Sequence, residues 1–317
     1  MQTRSFGPLE PVSALTLGGG GLGQVWGATT RNEAIATVHE AIAGGITLLD
    51  MAPSYGRDGE AERVIGEAFA GRLPPGVRVT TKHVLGSPPA GEVYQRLSDS
   101  LDGSLARMQL DRVDIFILHG MIDAAAEEGA TTRTNLGLFR EAVVPAFERL
   151  RAEGRIGAWG ITGVGFPSAI LNVLQNGPRP AVVQCIANVL DSPGGMKRFE
   201  EPARPREIIS TAVRNGVGVM GIRAVAAGSL TSAIDRELPA GSPEVVDFER
   251  AAPFRSMAAE LGVSPAFLAH QYALSMEGVS TVVLGVKNRE ELRECLAAEE
   301  AGALSPGVIR RIDQALR

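Results

Sequence analysis

ITLLDMAPSYG, residues 46–56, contains the pattern from which the fold can be predicted. An apolar run of the length expected for a buried parallel strand leads directly into polar residues. The same pattern recurs in VRVTTKH, residues 77–83, and in DRVDIFILHG, residues 111–120. Because helical or turn-like sequence separates these runs, the chain is predicted to form a parallel sheet whose strands alternate with helices.

This alternation continues through all 317 residues. The predicted strands are 14–17, 46–49, 77–80, 113–118, 156–161, 181–184, 217–222 and 281–284. Helical patterns include 31–43, 60–70, 91–108, 137–153, 203–215 and 264–276, followed by two extra C-terminal helices at 288–300 and 305–316. Eight such units without a linker predict an α/β protein, a single (β/α)8 TIM barrel in one domain, residues 1–317.

Three polar stretches rich in Gly and Pro interrupt the alternation, at 120–135, 192–205 and 232–247. All three follow predicted strands and are expected at the carboxyl face of the barrel. Loops there often shape substrate access or cover a cofactor, and the alternative is a flexible surface insertion. For residues 120–135 both interpretations stay open.

Composition and charge exclude several classes of protein. The net charge of −5 gives no reason to expect a nucleic acid or an anionic membrane surface as partner. The first residues lack the apolar core of a signal peptide, and no apolar stretch approaches ~20 residues, so we expect a cytoplasmic protein without a membrane span. Cys185 and Cys295 are the only cysteines, which predicts reduced thiols and no metal site. No feature of the sequence sets an oligomeric state.

Four polar residues follow three of the strand-like runs: Asp50, Tyr55, Lys82 and His119. At the carboxyl face of a barrel, a carboxylate, a phenol, an amine and an imidazole make a proton-transfer set. In this order, and with Asp and Tyr five residues apart, the four resemble the catalytic tetrad of the aldo-keto reductases. The resemblance implies that Tyr55 is the general acid or base, that Lys82 lowers its pKa, that Asp50 holds Lys82, and that His119 orients the carbonyl oxygen. It also implies an N-terminal β-hairpin that closes the bottom of the barrel.

The resemblance extends to residues expected to bind a nicotinamide dinucleotide. Thr162 and Gln184 match positions that bind the carboxamide, although Gly163 stands where Asn is common. Ile222 replaces an aromatic platform for the nicotinamide, and Arg223 replaces a small hydroxyl residue. Alternative roles are a buried amide bonded to the barrel for Gln184 and a strand-end salt bridge for Arg223.

The rest of the implied cofactor site lies after the last two strands, with backbone contacts to the pyrophosphate expected in the loop that holds Gly228 and Leu230. After the last strand, the resemblance implies a site for the adenosine 2′-phosphate at a helix N-terminus. Its residues are Gly285, Lys287, Asn288 and Glu291. Glu291 departs from the usual Gln or Arg, and a carboxylate would repel that phosphate. Because Lys287 and Asn288 suit a 2′-phosphate, we expect NADP(H) as cofactor. Glu291 makes NAD(H) the alternative.

The glycine-rich segment LGGGGLG, residues 17–23, contains the spacing Gly-x-Gly-x-x-Gly. A Rossmann site requires a helix to open immediately, but the predicted helix starts near Arg31. A first barrel loop that approaches cofactor or substrate through Gly23 explains the glycines better. Trp26 and Met51 are candidates for an apolar wall of the substrate pocket, or for plain packing.

The segment EAVVPAFERLRAEGRIGAWGITG, residues 141–163, looks most like the branch that contains aldose 1-dehydrogenases. The implied activity is NAD(P)(H)-dependent hydride transfer on a small aldehyde, ketone or sugar hemiacetal. Two other functions stay open: a non-catalytic nucleotide-sensing subunit, and a lyase that forms a Schiff base on Lys82. Glycoside hydrolysis is disfavoured because no second strand-end carboxylate pairs with Asp50.

Overall fold

A β-hairpin opens the chain in the computed structural model, which describes residues 1–316. Its strands, β1 (Thr3–Phe6) and β2 (Leu9–Ser13), are antiparallel. Phe6 is fully buried, packs with Val12 and Ile115, and lies against Gly218 at the start of a barrel strand. The hairpin therefore closes the amino end of the barrel, as the resemblance implied.

Eight parallel strands form the closed barrel, in which each strand pairs with the next and the last pairs with the first. The ten strands after the hairpin are β3 (Leu15–Gly18), β4 (Leu48–Asp50), β5 (Arg78–His83), β6 (Val113–Leu118), β7 (Met121–Asp123), β8 (Arg133–Asn135), β9 (Ile156–Thr162), β10 (Val182–Ile186), β11 (Gly218–Ile222) and β12 (Thr281–Leu284). Of these, β7 and β8 form a separate parallel pair outside the barrel.

Helices surround the barrel and pack their apolar faces on the outward side chains of the strands. They are α1 (Gly19–Leu22), α2 (Arg31–Ala43), α3 (Glu60–Phe69), α4 (Val93–Met108), α5 (Leu136–Leu138), α6 (Val144–Ala152), α7 (Pro167–Asn176), α8 (Pro205–Arg214), α9 (Pro243–Arg250), α10 (Ala252–Glu260), α11 (Pro265–Ser275), α12 (Arg289–Glu300) and α13 (Pro306–Ala315). A π-helical turn, Phe139–Val143, connects α5 to α6. Within residues 1–316, no helix is long and apolar enough to cross a membrane.

The predicted (β/α)8 barrel is confirmed, and the bounds of β6 and β12 agree with the prediction. One difference matters for the site. The third barrel strand was expected to end at residue 80, but β5 continues to His83, so Lys82 lies within the strand. Pairing with β6, in which Lys82 is opposite Ile117, extends the strand. Tertiary hydrogen bonding thus overrides the polar character of this segment.

Two of the polar stretches contain regular structure that the sequence analysis missed. In 120–135, β7 and β8 pair, and the Ser87 hydroxyl, which donates to the Arg133 carbonyl and accepts from Asn135 N, holds them to the loop after β5. In 232–247, α9 begins at Pro243, a residue type well suited to the first turn of a helix. Helices α7 and α10 were also not among the predicted helical patterns.

Side chains inside the barrel form two levels. The lower level is an apolar cluster of Phe6, Val12, Leu48, Ile115, Ile117, Val182 and Met220. Because side chains alternate along a strand, a residue two positions further on points to the same side. Four candidate site residues lie two positions beyond a member of this cluster: Asp50, His119, Gln184 and Ile222. The fold therefore predicts that they meet at the upper level, at the carboxyl face.

Candidate active site

The carboxylate of Asp50 lies at the centre of the upper level. Its Oδ2 accepts a 2.8 Å hydrogen bond from Lys82 Nζ, and its Oδ1 accepts from Thr80 Oγ1 at 2.6 Å and from Gln184 Nε2 at 2.9 Å. Asp50 is 2% exposed, and Lys82 and Thr80 are fully buried. A buried carboxylate with three donors is fixed in orientation.

Lys82 is positioned by two acceptors. Besides Asp50, its Nζ donates to the backbone carbonyl of Met51 at 2.8 Å. Burial by itself would lower the pKa of Lys82, but the charge of Asp50 and the phenol of Tyr55 together raise that pKa above its ordinary value. Lys82 is therefore a buried ammonium at neutral pH, paired with a buried carboxylate.

Tyr55 and His119 complete the predicted tetrad. The ammonium nitrogen of Lys82 lies 4.6 Å from the centre of the Tyr55 ring, and the rings of Tyr55 and His119 meet edge to face with centres 5.8 Å apart. Tyr55 and His119 are partly exposed, unlike the Asp50–Lys82 pair beneath them. The structure thus brings all four predicted residues together, with the phenol and the imidazole nearest to solvent.

The pKa values of these two side chains differ from the expectation in one respect. Burial raises the pKa of Tyr55 above its ordinary value, and the positive charge of Lys82 offsets only part of this effect. Lys82 acts to lower the pKa of Tyr55, as expected, but burial outweighs its effect, so the net shift is upward. Burial, with the charge of Lys82 acting in the same direction, lowers the pKa of His119 to about 3, so its imidazole is neutral.

The loop that holds Tyr55 is fixed by close backbone packing. A Cβ on Gly23 would lie 2.2 Å from the carbonyl oxygen of Tyr55. Gly56, next to Tyr55, has φ +92°, a conformation that favours glycine. The structure therefore places Gly23, which was expected at the cofactor, against the Tyr55 segment.

The two candidate pocket-wall residues lie in different places. Met51 is fully buried beside Gly19, so it packs in the hydrophobic core and presents no surface to a substrate. Trp26 is partly exposed, and its indole nitrogen lies close to Gly20 and Gly285. Trp26 therefore covers the junction between the first and last barrel loops, toward the implied cofactor side.

The two residues expected to bind a carboxamide, Thr162 and Gln184, lie on β9 and β10. The hydroxyl of Thr162 is buried without a hydrogen-bond partner, which is unusual for a buried polar atom. Gln184 directs its amide nitrogen to Asp50. Gly163 approaches β10 so closely that a Cβ would lie 2.8 Å from the Gln184 carbonyl oxygen. The Asn that is common at this position would therefore clash with the backbone of β10.

The segment after β11 has its own internal partners. Ile222 is partly buried in an apolar cluster with Val164, Ile186 and Phe199. Arg223 forms a 3.1 Å ion pair with Glu244, while its Nε is buried without a partner. This salt bridge is the alternative role that the sequence analysis kept for Arg223.

In the following turn, the backbone N–H groups that were expected to contact the pyrophosphate have hydrogen-bond partners within the chain. The N–H groups of Gly228 and Leu230 both donate to the carbonyl of Val225, at 3.0 and 3.2 Å. Leu230 is fully buried as well. In this structure, both N–H groups are hydrogen-bonded within the turn.

At the start of α12, Lys287 makes ion pairs with Asp235 and, at 3.2 Å, with Glu291. Asn288 caps the helix by accepting a 2.9 Å hydrogen bond from Glu291 N. Gly285 contacts Trp26, and the Arg236 guanidinium lies 5.8 Å from the centre of the Trp26 ring. The first loop, the loop after β11 and the start of α12 therefore meet at one end of the site.

Two of these residues have buried polar groups that could hold a nicotinamide dinucleotide. Thr162 Oγ1 and Arg223 Nε, at the ends of β9 and β11, are buried without a hydrogen-bond partner, so each has a free position for a polar group of the cofactor.

Three residues of the site, Thr80, Asp235 and Glu244, were not predicted from the sequence. Thr80 had a signal, because it lies two residues before Lys82 on the same face of β5. Asp235 and Glu244 had none, because their partners are distant in the chain.

The protein is thus a TIM barrel in which Asp50, Tyr55, Lys82 and His119 meet at the carboxyl ends of the strands. The sequence model of the aldo/keto reductase family matches residues 14–317. The chain therefore belongs to the aldo/keto reductase family, as the resemblance indicated.

Two relatives carry the names of sugar dehydrogenases. The chain is 28% identical to L-galactose dehydrogenase of Arabidopsis thaliana over 298 residues, which covers 90% of this chain and 84% of that protein. It is 26% identical to D-threo-aldose 1-dehydrogenase of a Pseudomonas species, with 69% of this chain and 68% of that protein covered. Family membership and these relatives support oxidoreductase activity.

A solved structure confirms the fold. The aldo-keto reductase AKR11C1 from Bacillus halodurans, in its holo form, superposes with a TM-score of 0.76 at 23% sequence identity. The match covers 100% of this chain and 97% of that chain. At this identity the similarity concerns the barrel and its surrounding helices.

Proposed function

We propose that the protein is a nicotinamide-dependent oxidoreductase that interconverts an alcohol and a carbonyl, with Tyr55 as general acid or base. The observation that carries this proposal is the position of Lys82 Nζ, 2.8 Å from Asp50 Oδ2 and 4.6 Å from the centre of the Tyr55 ring. A buried ammonium fixed beside a phenol stabilises the phenolate, which is the form that Tyr55 takes after it gives up a proton.

Each member of the tetrad has a distinct role in this proposal. In reduction, Tyr55 donates its proton to the carbonyl oxygen, and in oxidation it accepts the hydroxyl proton. Lys82 stabilises the phenolate, and Asp50 keeps Lys82 charged and in place. When bound, the nicotinamide supplies or accepts the hydride, which no amino-acid side chain can do.

His119 acts as a neutral hydrogen-bond donor. With a pKa of about 3, its imidazole carries one N–H proton throughout the neutral range. It lies beside Tyr55, where it can donate to the same substrate oxygen. A neutral donor polarises that oxygen without competing with Tyr55 as the proton source.

The names of the relatives favour an aldose as substrate. We propose that the favoured reaction is oxidation of a sugar hemiacetal at C1, in which the C–H bond is lost as hydride and the hydroxyl proton goes to Tyr55, so that a lactone forms. Reduction of a small aldehyde or ketone by the same residues is the second version. The tetrad is chemically reversible, and its geometry is compatible with both directions.

The lyase alternative, a Schiff base on Lys82, has little support. A lysine must be neutral to attack a carbonyl, whereas Asp50 and Tyr55 keep the pKa of Lys82 above its ordinary value despite burial. Its Nζ also donates to both Asp50 and the Met51 carbonyl. Borohydride in the presence of substrate is therefore expected to leave Lys82 unmodified.

The experiment that tests the proposal follows the absorbance of reduced nicotinamide. The protein is given NAD+ or NADP+ with a panel of aldoses, and NADH or NADPH with a panel of aldehydes. Appearance of reduced cofactor with aldoses would support aldose oxidation, and consumption with aldehydes alone would support carbonyl reduction. If cofactor binds but neither panel reacts, the activity is refuted and the nucleotide-sensing function takes its place.

A further inference from the structure

We propose that the adenosine end of the site selects NAD(H) over NADP(H). The donors that a 2′-phosphate would require are already bound by carboxylates of this chain. This inference rests on the proposed function, because it concerns the cofactor of the same site. It replaces the expectation of NADP(H), which was based on Lys287 and Asn288 without knowledge of their partners.

Glu291 occupies the donors of Lys287 from two directions. Its Oε2 accepts a 2.9 Å hydrogen bond from the backbone N–H of Lys287, and its Oε1 lies 3.2 Å from Lys287 Nζ. A carboxylate thus lies at the helix N-terminus, where a phosphate would otherwise be stabilised by N–H groups and the helix dipole. A 2′-phosphate would have to displace Glu291 or lie beside it.

A second carboxylate reaches Lys287 from another loop. Asp235, which follows β11, forms an ion pair and hydrogen bond with Lys287 Nζ. The Lys287 side chain is only 16% exposed, so little of the ammonium is open to a further anion. Lys287 therefore has one positive charge shared between two negative ones.

Arg289, a second cation at this helix end, is also paired. Glu33 from α2 accepts from the Arg289 guanidinium at 3.1 and 3.0 Å, and its Oε1 accepts from Arg289 N at 3.0 Å. Asn288 Oδ1 accepts the N–H of Glu291. The backbone N–H groups of Lys287, Arg289 and Glu291 are thus all satisfied within the chain.

The charges around this end of the site favour a neutral group. The charges here are balanced and paired, with three cations, Arg236, Lys287 and Arg289, against three carboxylates, Glu33, Asp235 and Glu291. A 2′-phosphate adds a charge of about −1.5 to −2, as other phosphate monoesters do. A free 2′-hydroxyl can instead donate a hydrogen bond to a carboxylate, which is how dinucleotide sites of another fold recognise NAD.

The test is a comparison of binding constants, measured by isothermal titration with the full chain. NAD+ and NADP+ are titrated first, then 5′-AMP and 2′,5′-ADP, which differ only in the 2′-phosphate. We expect NAD+ and 5′-AMP to bind tighter than their phosphorylated partners by about tenfold or more. Equal or tighter binding of NADP+ would overturn the inference while leaving the proposed function intact. If neither dinucleotide bound, both would be refuted.

Two matched variants locate the effect. Glu291→Gln removes the charge but keeps an oxygen that can accept from Lys287 N, so we expect NADP+ to bind about tenfold tighter than it binds the unmodified chain. Glu290→Gln makes the same change one residue earlier, on an exposed side chain for which residues 1–316 provide no ion-pair partner. We expect its preference to stay unchanged. Equal effects of the two variants would contradict the role of Glu291.

Discussion

Gln184 Nε2, on the sixth barrel strand, donates a 2.9 Å hydrogen bond to Oδ1 of Asp50, on the second. The residue implied to bind the cofactor carboxamide is thus bonded directly to the carboxylate that holds Lys82. If Gln184 binds the carboxamide as the resemblance implies, cofactor binding and orientation of the tetrad share one amide side chain.

The first prediction concerns this shared amide. Gln184→Met keeps the length of the side chain but removes the donor to Asp50. We expect kcat at saturating cofactor to fall by about tenfold, the scale of one lost hydrogen bond to a charged group. Measurement of kcat together with the Kd of the cofactor separates the two roles. A change in Kd alone would show that the bond to Asp50 has no catalytic importance.

The second prediction compares neighbouring threonines on opposite faces of β5. Thr80 donates to Asp50 inside the barrel, whereas Thr81 donates to the buried carboxylate of Glu62 outside it. Both Thr→Val variants lose a hydrogen bond to a carboxylate, at a cost of about 1.5–3 kcal/mol. We expect both to lower Tm, but only Thr80→Val to lower kcat. A similar loss of kcat in both would mean that the effect is general destabilisation.

The third prediction concerns the phenol. Tyr55→Phe retains the ring against Lys82 and His119 but removes the group that transfers the proton. We expect turnover to fall by about 10²-fold or more, the scale of general acid–base catalysis. Cofactor affinity, followed by the fluorescence of Trp26 and Trp159, is expected to stay nearly constant. Unchanged turnover would remove Tyr55 from its proposed role.

The fourth prediction concerns pH. Because the pKa of His119 lies at about 3, its charge does not change between pH 5 and 9. Oxidation requires deprotonated Tyr55, whose pKa is raised by burial above the ordinary ~10, so the oxidation rate should rise with pH throughout this range. Reduction requires protonated Tyr55 and should show no step near pH 6.5. Such a step, if lost in His119→Gln, would show that the imidazole titrates.

The fifth prediction concerns stability. A Cβ at Gly163 would lie 2.8 Å from the Gln184 carbonyl oxygen, so Gly163→Ala is expected to destabilise the fold by about 1–3 kcal/mol. Gly91→Ala provides the control, because a Cβ at Gly91 would meet no atom within 4 Å. Chemical denaturation of both variants measures the difference. If the two variants had equal free energies of unfolding, β9 and β10 could move apart at this point at little cost.

The reason for the glycines in residues 17–23 could not be predicted from the sequence. A Cβ on Gly18 would lie 2.2 Å from the Leu284 carbonyl oxygen, and one on Gly21 would lie 1.9 Å from that of Val286. A one-turn helix, α1, does open at Gly19, although the long helix begins at Arg31 as predicted. These positions require glycine because backbone segments distant in the sequence pack closely against them. The glycine motif alone does not show which segments those are.

Local sequence patterns were sufficient to predict the barrel, and the family resemblance identified the four tetrad residues. Each strand and helix leaves a local pattern of apolar residues, and eight repeats of that pattern admit few topologies. Parallel strands bring their carboxyl ends to one face, so Asp50, Lys82 and His119 had to meet.

The charges that remain available for a ligand, in contrast, could be recognised only in the folded chain. Lys287 pairs with Asp235 at a separation of 52 residues, and Arg289 pairs with Glu33 at a separation of 256. An ion pair depends on a few ångströms between side chains from different loops, and no local pattern encodes that distance. Lys287, the cation that the resemblance assigned to a phosphate, is in the folded protein already paired with Asp235 and Glu291.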